Sequence, residues 1–181
     1  MAGLRSDLLL TFILLGLAIY FSVLVARSLS AYMHFRRLAP TALVSWPARK
    51  PRYFPALVAL GVVSFAVAVL NGALDRPFHH VYSQGVMAAY FILMVPLVTR
   101  IRPGLYRDGI WADAGFLPWQ RIGRLAFVEA PEIVLVMVPR GGAAGPFRLA
   151  VPPDEYGTVR KVLEEKIRAR ELNMEKAILG L

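Results

Sequence analysis

Gly104–Ile122 has the sequence GLYRDGIWADAGFLPWQRI, and within it a membrane-like sequence changes into one with strand periodicity. Its short apolar segments are separated by Arg107-Asp108-Gly109 and by Ala114-Gly115, residue types that favour turns. Asp108-Gly109 predicts a two-residue hairpin turn of type I′, since both residues tolerate a positive φ better than most. The stretch therefore predicts an antiparallel meander, and it carries little information about chemistry.

Composition and charge identify the class of protein. Of the 181 residues, 57% are hydrophobic and the mean hydropathy is +0.53, whereas soluble domains are about 45–50% apolar. The chain is therefore expected to be an integral membrane protein. The net charge of +9 is uneven, because residues 100–181 carry thirteen basic and ten acidic groups while six unbalanced cations lie in one short loop. Membrane topology explains these six cations better than a nucleic-acid partner does. The absence of Cys excludes disulfides and Cys-ligated metals.

The first hydrophobic segment, residues 8–26, holds nineteen residues without a charge, which as a helix is about 28 Å long and can span a membrane. A cleaved signal peptide is the alternative, but the run exceeds the usual apolar region of about 7–15 residues. Residues 27–53 follow as a loop, in which three prolines argue against one continuous helix. Its cations are Arg27, Arg36, Arg37, Arg49, Lys50 and Arg52. The positive-inside rule places this loop in the cytoplasm.

Two further spans are predicted at residues 54–74 and 81–99, joined by a short turn that lies outside. With three spans in the cytoplasmic (inner) membrane, the N-terminus is expected on the outer side and the C-terminal domain in the cytoplasm. The predicted division is a transmembrane region at residues 1–102 and a cytoplasmic domain at residues 103–181. Small residues at three- or four-residue spacing in the second span predict close helix packing, unless the helix is merely rich in small residues. They are Gly61, Ser64, Ala68 and Gly72.

Beyond Arg102 the apolar period changes from 3.6 to 2, which predicts strands followed by an amphipathic helix. The five predicted strands are 104–107, 110–117, 122–129, 133–139 and 147–151. Residues 133–138 form a continuous apolar run, so that strand is either buried on both faces or directed partly at the membrane or a partner. The helix begins near Pro153 and closes a small curved sheet, giving an α+β domain. Its predicted apolar face contains Val159, Val162, Leu163, Ile167, Leu172, Met174 and Ile178.

A resemblance follows from the segment Phe116–Ile122, the apolar strand after it, Phe147–Val151 and the final helix. This part of the chain, about residues 101–170, resembles the bacterial membrane-associated PH-like domains. In these a Pro-Trp-x-x-Ile-type segment enters a strand, and a C-terminal helix caps a partly open barrel. Five strands are predicted here, against seven in a full PH barrel. The resemblance implies a scaffolding or envelope-related role and seldom an enzyme activity.

Several residues are candidates for chemistry. His79-His80 fits interfacial histidines better than a metal or haem site, because no ligand set with zinc spacing lies nearby. His34 with Arg36 and Arg37 fits topology-setting charge better than a lipid-phosphate contact. Trp111 and Trp119 fit a core or a membrane-interface anchor better than a ligand-stacking surface. The sequence therefore predicts no catalytic residue, no metal, no cofactor and no small-molecule substrate.

The sequence supports two hypotheses about function. The first is a non-enzymatic membrane interaction or scaffold protein, whose cytoplasmic PH-like domain docks a protein partner or, less readily, anionic lipid. The second is an accessory structural subunit of a larger membrane complex. The predicted partner or lipid contacts are Arg36, Arg37, Arg121, Arg124 and Arg148. The predicted structural residues of the domain are Trp111, Pro118, Trp119 and Ile122.

Overall fold

The structure is a computed structural model that describes residues 2–128, 131–141 and 145–172, with side chains from residue 9 onward. These residues form two compact units. The helical unit contains residues 2–35 and Arg49–Ile101, and the sheet unit contains Arg36–Ala48 and the chain from Arg102 onward. The sheet unit is therefore assembled from two separate chain segments.

The helical unit contains α1 (Ala2–Leu38), α2 (Phe54–Ala73) and α3 (Phe78–Ala89). A π-helical turn at Tyr90–Met94 continues α3 into the short α4 (Val95–Val98). Three helical stretches, Leu9–Thr41, Phe54–Ala73 and Phe78–Val98, are long and apolar enough to cross a membrane. At the level of length and composition, the prediction of three spans is confirmed.

The first helix is longer than predicted. The predicted loop begins at Arg27, but α1 continues to Leu38 and carries Arg27, Arg36 and Arg37 on helical backbone. Residues 28–38 contain no Gly or Pro, so nothing in this segment breaks the helix. The α-helix ends just before Pro40, because a proline disfavours helical backbone at the residue before it.

The described residues of the sheet unit form seven antiparallel strands in two sheets. β1 (Ala42–Ser45), β2 (Gly104–Tyr106), β3 (Gly109–Ala112) and β4 (Gly115–Pro118) form one sheet in that order. β5 (Ile122–Val128), β6 (Val134–Pro139) and β7 (Phe147–Ala150) form the second, and α5 (Tyr156–Arg168) follows. The predicted antiparallel strands and C-terminal helix are present. Strand pairing among the described residues leaves two separate sheets and does not close a barrel.

Two predicted details of the opening meander are wrong. The strand predicted at 110–117 is two strands, β3 and β4, separated by a turn at Asp113-Ala114. The hairpin before it has Arg107 and Asp108 as its loop, with Tyr106 paired to Gly109, and neither loop residue has the positive φ of a type I′ turn. Gly109 is needed for space, since a Cβ there would lie 2.4 Å from the carbonyl oxygen of Leu117.

β1 comes from the segment predicted as a loop. It pairs with β2, and the N–H of Trp46 donates to the carbonyl of Pro103 at 3.2 Å. Val44 and Trp46 are each only 8% exposed and belong to the core of the sheet unit. The pairing requires β1 and β2 to lie on the same side of any membrane, although α2 and α3 separate them in sequence. If α2 spans, the following helix must therefore span back.

One hydrophobic core contains side chains from both sheets and from α5. Of the predicted helix face, Val159 and Leu163 are fully buried, Val162 and Ile167 pack against the core, and Leu172 is buried beyond the helix end. The remaining two predicted positions, Met174 and Ile178, lie outside the described residues. So does Glu129, the predicted end of the third strand. The amphipathic helix thus supplies the apolar cover that the sheets require.

Asp113 links the two sheets. Its N–H donates to the carbonyl of Arg148 at 3.1 Å, and its Oδ1 accepts from the N–H of Arg148 at 2.8 Å and from that of Ala114 at 2.7 Å. The turn between β3 and β4 is thereby fastened to β7. Carboxylate acceptors form stronger hydrogen bonds than neutral groups, so this one side chain holds the turn and the sheet contact together.

Candidate functional site

Trp119 lies in a short 3₁₀ turn between β4 and β5 and is 3% exposed. Its indole N–H donates to the carbonyls of Tyr106, at 3.1 Å, and Arg107, at 2.8 Å. The ammonium of Lys166 on α5 lies 6.0 Å from the ring centroid, within cation–π range. A buried indole normally has its N–H satisfied in this way, so the residue belongs to the core and leaves no ring face for a ligand.

The other three predicted structural residues lie in β3, β4 and β5. Trp111 on β3 is 6% exposed, and its ring centroid lies 5.9 Å from that of Phe116. Pro118 pairs with Gly109 at the end of β4 and is half-buried. Ile122 opens β5 and is fully buried. These side chains contribute packing to the sheet unit and form no open binding surface.

The predicted arginine contacts occupy three places. Arg36 and Arg37 are exposed in the last turn of α1, and Arg121 is exposed at the end of the 3₁₀ turn before β5. Arg124 lies opposite Val138, and Arg148 lies opposite Val136, both on the outward side of the three-stranded sheet. A bulge between Ile122 and Arg124 keeps Ile122 and Leu125 inward and turns Arg124 outward. The structure thus brings Arg124 and Arg148 onto one surface.

The predicted small-residue stripe is divided by the structure. Gly61, Ser64 and Ala68 are buried, whereas Gly72 is exposed. A Cβ on Gly61 would lie 2.7 Å from Cγ1 of Ile92 and 2.8 Å from Cβ of Phe91, so only glycine allows this approach of α2 to the π-helical turn. The hydroxyl of Ser64 donates to the carbonyl of Leu60 at 2.8 Å, which satisfies it within its own helix. A Cβ on Gly72 would meet no neighbouring atom within 4 Å, so Gly72 lies on an open surface.

That surface is an apolar groove of about 670 Å³ between α2 and α3. Its walls and floor include Phe65, Val69, Gly72, Gly85, Ala89 and Leu93. The groove continues the small-residue stripe from α2 onto α3, and sequence reasoning missed the second half. The signal was present, because Gly85, Ala88 and Ala89 repeat small residues at helical spacing.

The paired histidines of the sequence lie near the start of α3. His79 and His80 stack with ring centroids 4.5 Å apart, and Nε2 of His79 lies 3.4 Å from Oγ1 of Thr11. Within the described residues, no group of three His, Asp or Glu side chains is placed to hold a metal ion. Burial raises the pKa of Tyr106 to about 12, opposed in part by the charge of Arg102. Its hydroxyl donates to the carbonyl of Arg102 at 2.6 Å, which is a structural contact.

Comparison with protein-family models, with curated proteins and with solved structures found no match. Two surfaces of the described residues are candidate sites. These are the outward side of the sheet β5–β6–β7 and the groove between α2 and α3.

Proposed function

We propose that this chain is a non-enzymatic integral membrane protein that presents a PH-like interaction domain to a protein partner at the cytoplasmic face of the inner membrane. The observation that carries the proposal is the pairing of β1 with β2. Because β1 precedes α2 and β2 follows α4, three chain connections join the sheet unit to the apolar helices. The sheet unit is thus continuous in sequence with the apolar helices at three points.

The PH-like assignment is supported by strand number and by the position of the resembling segment. Seven strands and a C-terminal helix are the elements of a full PH barrel with its capping helix. The Pro118-Trp119 segment enters β5 as the resemblance implies, with the indole buried. In this chain the first strand is contributed from before two apolar helices. The proposed domain is thus a PH-like fold with a helical hairpin inserted after its first strand.

The orientation rests on charge. Arg27, Arg36, Arg37 and the Arg49–Arg52 group flank β1 without an acidic residue between positions 27 and 53. The positive-inside rule favours the cytoplasm for such a segment. Because β2 lies on the same side as β1, the same argument extends to the whole sheet unit.

A second candidate function has its own support in the apolar groove between α2 and α3. A groove with small residues along its floor allows another helix to approach closely in a membrane. In this case the chain is an accessory subunit of a larger membrane complex, held by its spans and not by its sheet unit.

The test is purification of the full chain in mild detergent, followed by mass measurement of the intact particle. The proposal expects a stoichiometric complex with one partner protein, and a monomer in every detergent would contradict it. Replacing residues 54–98 by an unrelated two-span hairpin of the same length separates the two candidates. The partner is retained if it binds the sheet unit and is lost if it binds the spans.

A further inference from the structure

The outward side of the three-stranded sheet has an unusual composition. On a sheet with one solvated face, outward positions are normally polar. Here the three outward positions of the central strand β6 are all valine, and Val128 of β5 continues the row. We call Val128, Val134, Val136 and Val138 the valine face. Its inward neighbours Leu135 and Met137 are fully buried, so the core is complete without it.

The valine face is open. Among the described residues of the sheet unit, the large apolar side chains that are exposed are Leu43, Val128 and Val138, at 48%, 48% and 38%. Two of these three therefore lie on one surface, with half-buried Val134 and Val136 between them. The sequence left two explanations for the apolar run at 133–138, burial on both faces or a surface for the membrane or a partner. Burial on both faces is wrong, because Val138 is exposed.

Two arginines border the valine face, one on each of the two strands that flank β6. Arg124 is opposite Val138 on β5, and Arg148 is opposite Val136 on β7. With strands about 4.8 Å apart and residues rising about 3.3 Å, their Cα atoms lie about 12 Å apart across the face. Both side chains are exposed, and neither forms an ion pair within the described part of the chain. An apolar strip with a cation on either side is complementary to an apolar segment flanked by carboxylates.

A membrane surface fits this arrangement less well. Two cations near an anionic surface contribute about 1 kcal/mol each. The described outward positions of the three strands include no aromatic side chain to anchor this face at an interface. A second copy is also disfavoured, because a two-fold contact of this face with itself would bring the two arginine pairs together.

We propose that the valine face docks a protein segment that has apolar residues in its middle and carboxylates about 12 Å apart at its ends, matched to Arg124 and Arg148. This inference rests on the proposed function and identifies the surface and the chemistry of the partner. The apolar middle supplies burial, and the two charge pairs fix register and orientation.

The test is photocrosslinking with the full chain in the membranes of cells that produce it. A benzoylphenylalanine replaces Val138, and in a control chain it replaces Lys161, which is exposed on α5. After illumination, the crosslinked peptides are identified by mass spectrometry. We expect the Val138 position to capture one segment of another protein, with apolar residues between Asp or Glu residues. Capture of lipid, of a second copy, or of nothing above the Lys161 control would overturn the proposal.

Charge variants of the Val138 crosslinker then test the complementarity. Arg124→Glu and Arg148→Glu should each lower the crosslinked yield at least fivefold, while Arg124→Lys and the matched surface reversal Arg168→Glu should leave it within twofold. Equal yields in all four variants would overturn the role of the arginines. Hydrogen exchange of the β6 amides checks that each variant is folded. Retention of a partner in mild detergent without crosslinks at Val138 would reject this surface and leave the proposed function standing.

Discussion

At the scale of single residues, Trp119 connects three parts of the sheet unit. Its N–H binds the carbonyls at the end of β2, its ring lies in the core, and Lys166 of α5 lies over it. Trp119→Ala should cost about 3–5 kcal/mol, a large part of the about 5–15 kcal/mol that stabilises a domain. Hydrogen exchange of the β5 and β6 amides in the full chain measures this loss directly.

Trp119→Phe is the matched control for that experiment. It keeps an aromatic ring but removes the N–H donor and two ring carbons, so two carbonyls lose one partner and a small cavity is left. A loss of about 1 kcal/mol is expected for the missing hydrogen bonds. If Trp119→Ala leaves the exchange rates of the sheet unit unchanged, the burial argument for this residue is wrong.

Tyr106 gives a pH dependence with a definite sign. Burial raises its pKa to about 12, above the usual value of 10.0, so the folded state favours the protonated phenol. The resulting stability is fully present below pH 10 and is lost as the pH rises through about 12. Of the seven tyrosines, Tyr106 should ionise late in an ultraviolet absorbance titration of the full chain. Tyr106→Phe should remove this late step, and its persistence in that variant would contradict the assignment.

At the scale of elements, the sequence predicted the apolar helices, most of the strands and the terminal helix, because each has a clear local period. β1 could not be recognised with the same ease. Val44 and Trp46 do alternate with Leu43 and Ser45, but four residues between a helix end and two prolines give a weak signal. Its partner strand lies about sixty residues later, so only tertiary pairing identifies it. The split of 110–117 was missed for a similar reason, since Asp113 makes the turn by binding β7.

For the candidate site residues too, local sequence predicted some features, whereas others depend on strand order. Burial of Trp119 followed from its position at a strand entry. The apolar run at 133–138 left its environment open, because strand order decides which face is covered, and strand order is not local information. Their place in or beside adjacent predicted strands, in alternation with apolar residues, indicates that Arg124 and Arg148 could cluster on a solvated face, and the register of β5, β6 and β7 puts both on one outward surface.

β1 leads to a prediction about the isolated domain. Residues 103–181 alone lack β1, so β2 loses its partner strand and Val44 and Trp46 leave the core. We expect this fragment to unfold without a cooperative transition in urea. Residues 36–48 joined ahead of residues 102–181 by a flexible linker should restore cooperativity, since Trp46 N lies 3.2 Å from Pro103 O and a short linker suffices. Equal cooperativity in both chains would show that β1 is dispensable.

The contact of α2 with the π-helical turn predicts a contrast between two glycines. Gly61→Leu should destabilise the helical unit by about 1–3 kcal/mol, because the new side chain meets Phe91 and Ile92. Gly72→Leu adds the same atoms toward the open groove and should be nearly neutral. Thermal unfolding of the full chain in detergent, followed by helical circular dichroism, compares them. A larger loss for Gly72→Leu than for Gly61→Leu would contradict this packing.

At the scale of the whole molecule, strand pairing constrains topology more strongly than charge does. β1 and β2 exchange backbone hydrogen bonds, so the segments before α2 and after α4 share one side of the membrane. The charge argument then chooses which side. The hydrogen bonds between β1 and β2 require only that the two segments share a side, whereas the positive-inside rule, a preference during insertion, indicates which side it is.

Reporter fusions in the full chain test both arguments at once. A reporter active only in the cytoplasm should be active when fused after Leu181 or inserted at Ala48, and silent when inserted within residues 75–80. The reporter at Ala48 and the reporter after Leu181 must give the same result, because β1 and β2 are paired. Disagreement between them would reject the two-segment sheet unit. If the reporters at Ala48 and after Leu181 are both silent and the one within residues 75–80 is active, the two-segment sheet unit is supported and the orientation of the chain in the membrane is the reverse of the proposed one. Arg49→Glu with Arg52→Glu should weaken the cytoplasmic signal at Ala48, since these cations belong to the group that sets the orientation.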